Sequence, residues 1–283
     1  MRNVIIPLAA MVLGGCATAL PGQPSSTDAV ELSAAQAPTY ADLVTFALAA
    51  DVVAVVTVDD QAAFPAERAP DVGPDRIRLY IESLTRNLLV SPTGLGESLI
   101  FVTDVDREPD GDVPDLEKRD FVIFADLVPG RPGDVRLVKS DSFFPAGPMI
   151  ENRVRQVLRQ LAAVDAPPAI TGVRDVISVA GNLAGESETQ MFVETATGAP
   201  VSLTVIRRPG MRPNWGVSLG EIVDTSAQPI QRDTIAWYRF ACSLPESLPD
   251  SAFLQNDRQS RERAREDYAY VLSELGRCER RYS

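Results

Sequence analysis

The residues best spaced for chemistry in this chain are acidic. From Asp104 to Glu117 it reads Asp-Val-Asp-Arg-Glu-Pro-Asp-Gly-Asp-Val-Pro-Asp-Leu-Glu. With Asp106 as first ligand, Glu108 and Asp110 supply carboxylate oxygens, Gly111 the sharp turn, Asp112 a carbonyl and Glu117 a bidentate carboxylate, which is the spacing of a calcium loop. Calcium is the one cofactor this sequence offers. Pro109, Pro114, the long Glu108 and flanking strand-like sequence depart from that pattern. A solvated hairpin turned by Pro109-Asp110-Gly111 uses the same residues and is the commoner role of acidic turns between strands.

Other chemistries are thinly provided. Histidine is absent, which removes Ser-His-Asp and Cys-His catalysis, His-containing zinc sites and imidazole pH switching. Lys118 and Lys139 are the only lysines, so a Ser-Lys pair has few places to form. Ser91 to Glu97 has the glycines and hydroxyls of a phosphate loop but neither its lysine nor its following helix, and reads as a hairpin connection. Arg207, Arg208 and Arg212 gather around Pro209-Gly210 near Trp215, where they form either an anion or partner contact or a solvated loop paired with surface carboxylates. Two carboxylates at suitable separation would suffice for a hydrolase, but sequence spacing does not reveal such a pair. A carboxylate- or calcium-dependent periplasmic hydrolase is therefore the alternative to a binding module, and no catalytic residue is assigned.

Lys and Arg number 27 against 39 Asp and Glu, a net charge of −12. So acidic a surface repels phosphate backbones, which argues against nucleic-acid binding. Aromatic residues make up 6% of the chain, too few for an abundance of stacking platforms.

Three cysteines remain. Met1-Arg2-Asn3 is a short positive leader, and Val4 to Leu13 is an apolar run too short to span a bilayer. It closes on Leu13-Gly14-Gly15-Cys16, which resembles the lipobox of bacterial lipoproteins. The resemblance implies cleavage before Cys16, acylation of that residue, and, with Ala17 rather than Asp following, passage to the outer membrane with the folded part in the periplasm. Acyl chains at about 0.8 kcal/mol per buried CH₂ then hold the protein without a transmembrane helix. The partners expected are the bilayer, through Cys16, and an envelope protein. In an oxidising compartment Cys242 and Cys278 are the one remaining pair and are expected to be bonded.

The elements that must carry these residues follow from pattern. Residues 1–15 form the signal and residues 16–37 a polar tether with a random-coil reach of roughly 25 Å. Thr39 caps a helix that ends near Asp51, with Asp42 favouring its positive end. Val52 to Val58 reads as a strand buried on both faces, and further strands are expected at Ile77 to Val90, Ser98 to Val105, Phe121 to Val128 and Val135 to Ser140. A helix over Met149 to Val164 places Ile150, Val154, Val157, Leu158 and Leu161 on one stripe. This order over residues 38–166 is compatible with a small OB-type barrel flanked by helices. Glu117-Lys118-Arg119-Asp120 followed by Phe121-Val122-Ile123-Phe124 is weakly similar to the fourth strand of OB-like domains of the metalloproteinase-inhibitor kind, and no inhibitory function is carried over.

Pro167-Pro168 marks a boundary. Beyond it, over residues 169–283, strands are expected at Val173 to Ala180, Thr189 to Thr195, Val201 to Arg207, Trp215 to Val223 and Thr234 to Cys242, giving an antiparallel sheet or sandwich. A C-terminal helix over Arg258 to Arg280 aligns Ala264, Tyr268, Val271, Leu275 and Cys278, so a Cys242 to Cys278 bond would tie that helix to the last strand. The fold class expected is α+β and β-rich: an OB-like barrel, then an antiparallel sheet with a C-terminal helix.

Overall fold

The computed structural model describes residues 36–220 and 228–282. The lipobox, with Cys16, and the last part of the expected Trp215 to Val223 strand lie outside them.

The chain is α+β and β-rich, with two antiparallel sheets. Helix α1 (Tyr40–Ala49) starts from Thr39, whose hydroxyl accepts from Asp42 N while the Asp42 carboxylate accepts from Thr39 N, a reciprocal capping box. Strands β1 (Val52–Ala63), β2 (Arg76–Val90), β3 (Ser98–Asp106), β4 (Asp120–Leu127) and β5 (Val135–Leu137) stand in the order β3-β2-β1-β4-β5, and β6 (Phe143–Pro145) also pairs β4. The expected strand at Val135 to Ser140 is interrupted: residues 139–141 bulge away from β4, while Val138 and Ser142 on either side both bond to Phe124 and β5 and β6 hold its edge.

The bulge helps close the barrel. Ser140 O accepts from Asp104 N at 3.0 Å and from Thr103 Oγ1 at 2.8 Å, and Ile100 N donates to Gly133 O at 2.8 Å, so β3 meets the β5 side of the sheet through a parallel bridge. With this bridge the sheet is barrel-like.

The β-branched run of β1 is buried on both faces for a specific reason. Val52, Ala54, Val56 and Val58 point into the barrel with Ile123 of β4, whereas Val53 and Val55 point outward beneath α1. Helix α2 (Pro148–Leu161) begins with proline in its first turn and buries Val154 and Val157 against the same outer core.

Strands β7 (Ile170–Ala180), β8 (Ser187–Thr195), β9 (Val201–Arg207) and β10 (Asn214–Ser218) form a four-stranded meander in the order β10-β9-β8-β7. The segment expected as a last strand is instead helix α3 (Ile235–Ala241), capped by Thr234, whose Oγ1 accepts from Trp237 N at 3.1 Å. Ile235, Trp237, Tyr238 and Phe240 are all buried. A segment apolar on nearly every side loses the periodicity that separates helix from strand.

Helix α4 (Arg258–Leu275) packs on β7 and β8 through Ala264, Tyr268, Val271 and Leu275, the stripe read from the sequence. It stops earlier than expected, at Gly276, whose φ of +70° few side chains tolerate. Cys278 therefore lies beyond the helix, and its bond to Cys242 joins the segment after α4 to the C-terminal end of α3, not to a strand.

Candidate functional site

The acidic segment forms a compact turn. Gly111 has φ +90°, Gly111 N donates to Glu108 O at 2.8 Å, and Glu108 N donates to Asp112 O at 3.0 Å. Asp110 Oδ1 accepts from Asp112 N at 3.1 Å, and Arg107 Nη1 closes on Gly111 O at 2.9 Å. Asp106 faces Arg76 at 3.2 Å. Downstream, buried Leu116 and Pro114 are tied to Gln61 of β1, while Asp115 Oδ1 caps Glu117 N at 3.0 Å. Among the described residues no three Asp, Glu or Cys side chains are grouped closely enough to hold a metal ion. Asp106, Glu108, Asp110, Asp112 and Glu117 are thus not drawn into one ligand set. The two prolines and the anchoring to Gln61 shape the run as a loop with a tight turn at residues 108–112, and because it joins β3 to β4, which are not neighbours in the sheet, it is a crossing connection and not the expected hairpin.

The arginine trio is also divided. Arg207 turns inward and its Nε donates to Asp267 Oδ1 at 2.5 Å, Arg212 reaches Glu274 of α4 at 3.3 Å, and Arg208 is exposed. The structure does not gather them around one anion. Their acidic partners come from α4, more than fifty residues downstream.

Two buried carboxylates escaped the sequence reading as centres of hydrogen bonding. Asp267 is fully buried; it accepts from Thr189 Oγ1 as well as Arg207, and Thr189 also contacts Ser178 at 2.9 Å. Burial pushes its pKa up, against the opposing pull of Thr189 and Arg207.

Asp42 is the second. Besides capping α1, it accepts from Arg281 N at 3.1 Å and from Tyr282 N at 3.0 Å. Burial raises its pKa, but the hydrogen bonds from Thr39, Tyr282 and Arg281 outweigh that and hold the carboxyl below its ordinary range.

Around Asp42 the chain's last residues form a strap. Thr39 Oγ1 donates to Glu279 O at 2.8 Å, Arg281 Nη1 to Ala37 O at 2.8 Å, Tyr282 OH to Gln36 O, and Lys139 Nζ to Tyr282 O. The Tyr282 ring packs edge-on against Phe144 at 5.2 Å. Residues 279–282 thus run beside residues 36–42, where the described chain begins. The capping pattern Thr-x-x-Asp was visible in the sequence; its use as the socket for a segment some 240 residues away was not.

Surface hollows are modest. One of about 330 Å³ lies between the Thr93–Gly96 and Leu127–Val135 segments, and another of about 230 Å³ opens beside Phe192 and Ser202. Neither contains Asp42 or Asp267. The fold defines a β-rich α+β protein of one closed barrel and one meander sheet. Comparison with known protein families and with curated proteins finds no match for this chain.

Proposed function

We propose that this is a membrane-anchored lipoprotein whose folded body faces the periplasm and acts as a binding or envelope-assembly module. The observation that carries the reading is Leu13-Gly14-Gly15-Cys16 closing a short apolar leader. The resemblance to lipoproteins extends it to acylation of Cys16 and, through Ala17, to the outer membrane.

Two structural features support it. The Cys242 to Cys278 disulfide suits an oxidising compartment. The buried carboxylates Asp42 and Asp267 are engaged by structural donors, and the acidic loop presents no gathered ligand set. These features favour binding over carboxylate-dependent or calcium-dependent hydrolysis.

Expression of wild type and Cys16→Ser in a Gram-negative host tests the anchor. Intact mass is expected to show a wild-type chain beginning at Cys16 with added acyl mass and partitioning into membranes, while the variant does neither. A soluble, unacylated wild type would remove the anchor.

A further inference from the structure

The carboxyl of Asp267 lies inside the contact between α4 and the meander sheet and has no exposed surface. Thr189 of β8, which meets it, and Ser178 of β7, which meets Thr189, are as fully buried. Among the described residues the carboxyl has two side-chain partners: Oδ1 accepts from Arg207 Nε, and Oδ2 meets the Thr189 hydroxyl. An ionised carboxylate has about four lone-pair sites to fill. Held away from water with two donors, this one bears a desolvation cost that its partners only partly offset. Its one cation is shared with solvent, because the Arg207 side chain is 30% exposed.

The hydroxyls accommodate either protonation state. Thr189 Oγ1 is within hydrogen-bond distance of Asp267 Oδ2 and, at 2.9 Å, of Ser178 Oγ, yet it carries a single proton. With the carboxylate ionised, Thr189 donates to Asp267 and Ser178 donates to Thr189. With the carboxyl protonated, Asp267 donates to Thr189 and Thr189 to Ser178. The chain of donors reverses while every heavy atom keeps its place.

The charges around the site divide. Glu266, the preceding residue of α4, adds a like charge. Arg263, one turn earlier, points its Nη2 at Ser178 O, 3.3 Å away, and at Ser260 Oγ, 2.9 Å away. The strands β7 and β8 bring hydroxyls, and β9 brings the Arg207 guanidinium. Burial, the largest influence, and Glu266 favour the neutral carboxyl, whereas Thr189 and Arg207 favour the ionised one.

We propose that Asp267 is a proton-dependent latch for α4: the helix docks more firmly on β7 and β8 when the carboxyl gains a proton, and loosens when the proton leaves. Because α4 leads into Cys278 and the strap, the latch sets how firmly that end of the chain is held. Its sign is opposite to that at Asp42. Burial raises the folded carboxyl above its ordinary range, so its contribution is fully present below the unfolded pKa, about 3.9, and is lost as pH rises through the higher folded value.

The test uses the full chain with its disulfide intact. The carbon-13 resonance of the Asp267 carboxyl is followed through a pH titration, and hydrogen exchange of residues 187–193 and 258–275, corrected for intrinsic rates, is measured over the same range. The carboxyl is expected to titrate above about 3.9, and protection of those residues to rise about three- to tenfold on acidification from neutral pH, a gain that β1 in the barrel does not share. Asp267→Asn presents an amide that donates to Thr189 and a carbonyl that accepts from Arg207, as the protonated carboxyl does. It is expected to show the wild type's acid-level protection already at neutral pH. A carboxyl titrating at or below its ordinary value would overturn the proposal, as would protection that fails to rise in α4 or rises equally in β1. The wild-type titration and exchange decide the matter even if Asp267→Asn folds poorly.

Discussion

Asp42 shows how much one side chain is asked to do. Its carboxylate caps α1 and accepts two backbone N–H groups from the strap, so the first helix and the last residues share one acceptor. Removing it leaves those donors unsatisfied in a closed site, and Asp42→Ala is expected to lower stability by about 2–3 kcal/mol in denaturant unfolding. The effect should depend on pH with a definite sign. Because the folded carboxyl titrates below its ordinary value, the stabilisation is fully present above the unfolded pKa, about 3.9, and is lost as pH falls through the lower folded value. The gap between wild type and Asp42→Ala should therefore close on acidification. A gap independent of pH would mean that packing, not charge, governs the site.

At the scale of elements, the disulfide and the strap act together. Cys242 terminates α3 and Cys278 follows α4, so the bond fixes where the strap begins, while Asp42 and Thr39 fix where it ends. Trp237 Nε1 adds a hydrogen bond to Leu275 O at 2.8 Å. Closing a loop of 36 residues stabilises by about 4 kcal/mol on the chain-entropy model. Cys242→Ala with Cys278→Ala is expected to lower the melting temperature and to speed hydrogen exchange in residues 276–282 more than in β7 and β8. Uniform acceleration across the chain would show that the bond acts only on global stability.

For the whole molecule, the two sheets divide near Pro167-Pro168 but the apolar core does not. One continuous cluster takes in Leu43 and Phe46 of α1, Val122 and Phe124 on the outer face of β4, Phe240 of α3, and Met191 and Leu203 of the second sheet. A cut after residue 168 would expose that shared core. Calorimetry is therefore expected to give one transition with equal calorimetric and van't Hoff enthalpies, and a chain covering residues 36–168 alone is expected to aggregate or unfold. Two separate transitions would establish independent domains.

The sequence by itself determined most of the strands, the cap of α1, the buried stripe of α4 and the pairing of Cys242 with Cys278, because alternation, capping chemistry and the scarcity of cysteine are local or combinatorial signals. It also carries Leu13-Gly14-Gly15-Cys16, on which the proposed function rests. Only the tertiary structure decided that residues 235–241 are helical, since a segment buried on nearly all sides carries no period. It also decided that the acidic run is a loop crossing from β3 to the non-adjacent β4 and pinned to Gln61, and that Arg207 turns inward to Asp267. The strap follows the same logic. Thr39 and Asp42 read in the chain only as a cap and Arg281 and Tyr282 as nothing in particular, and the four acquire a common role only when the fold brings residues 279–282 beside residues 36–42.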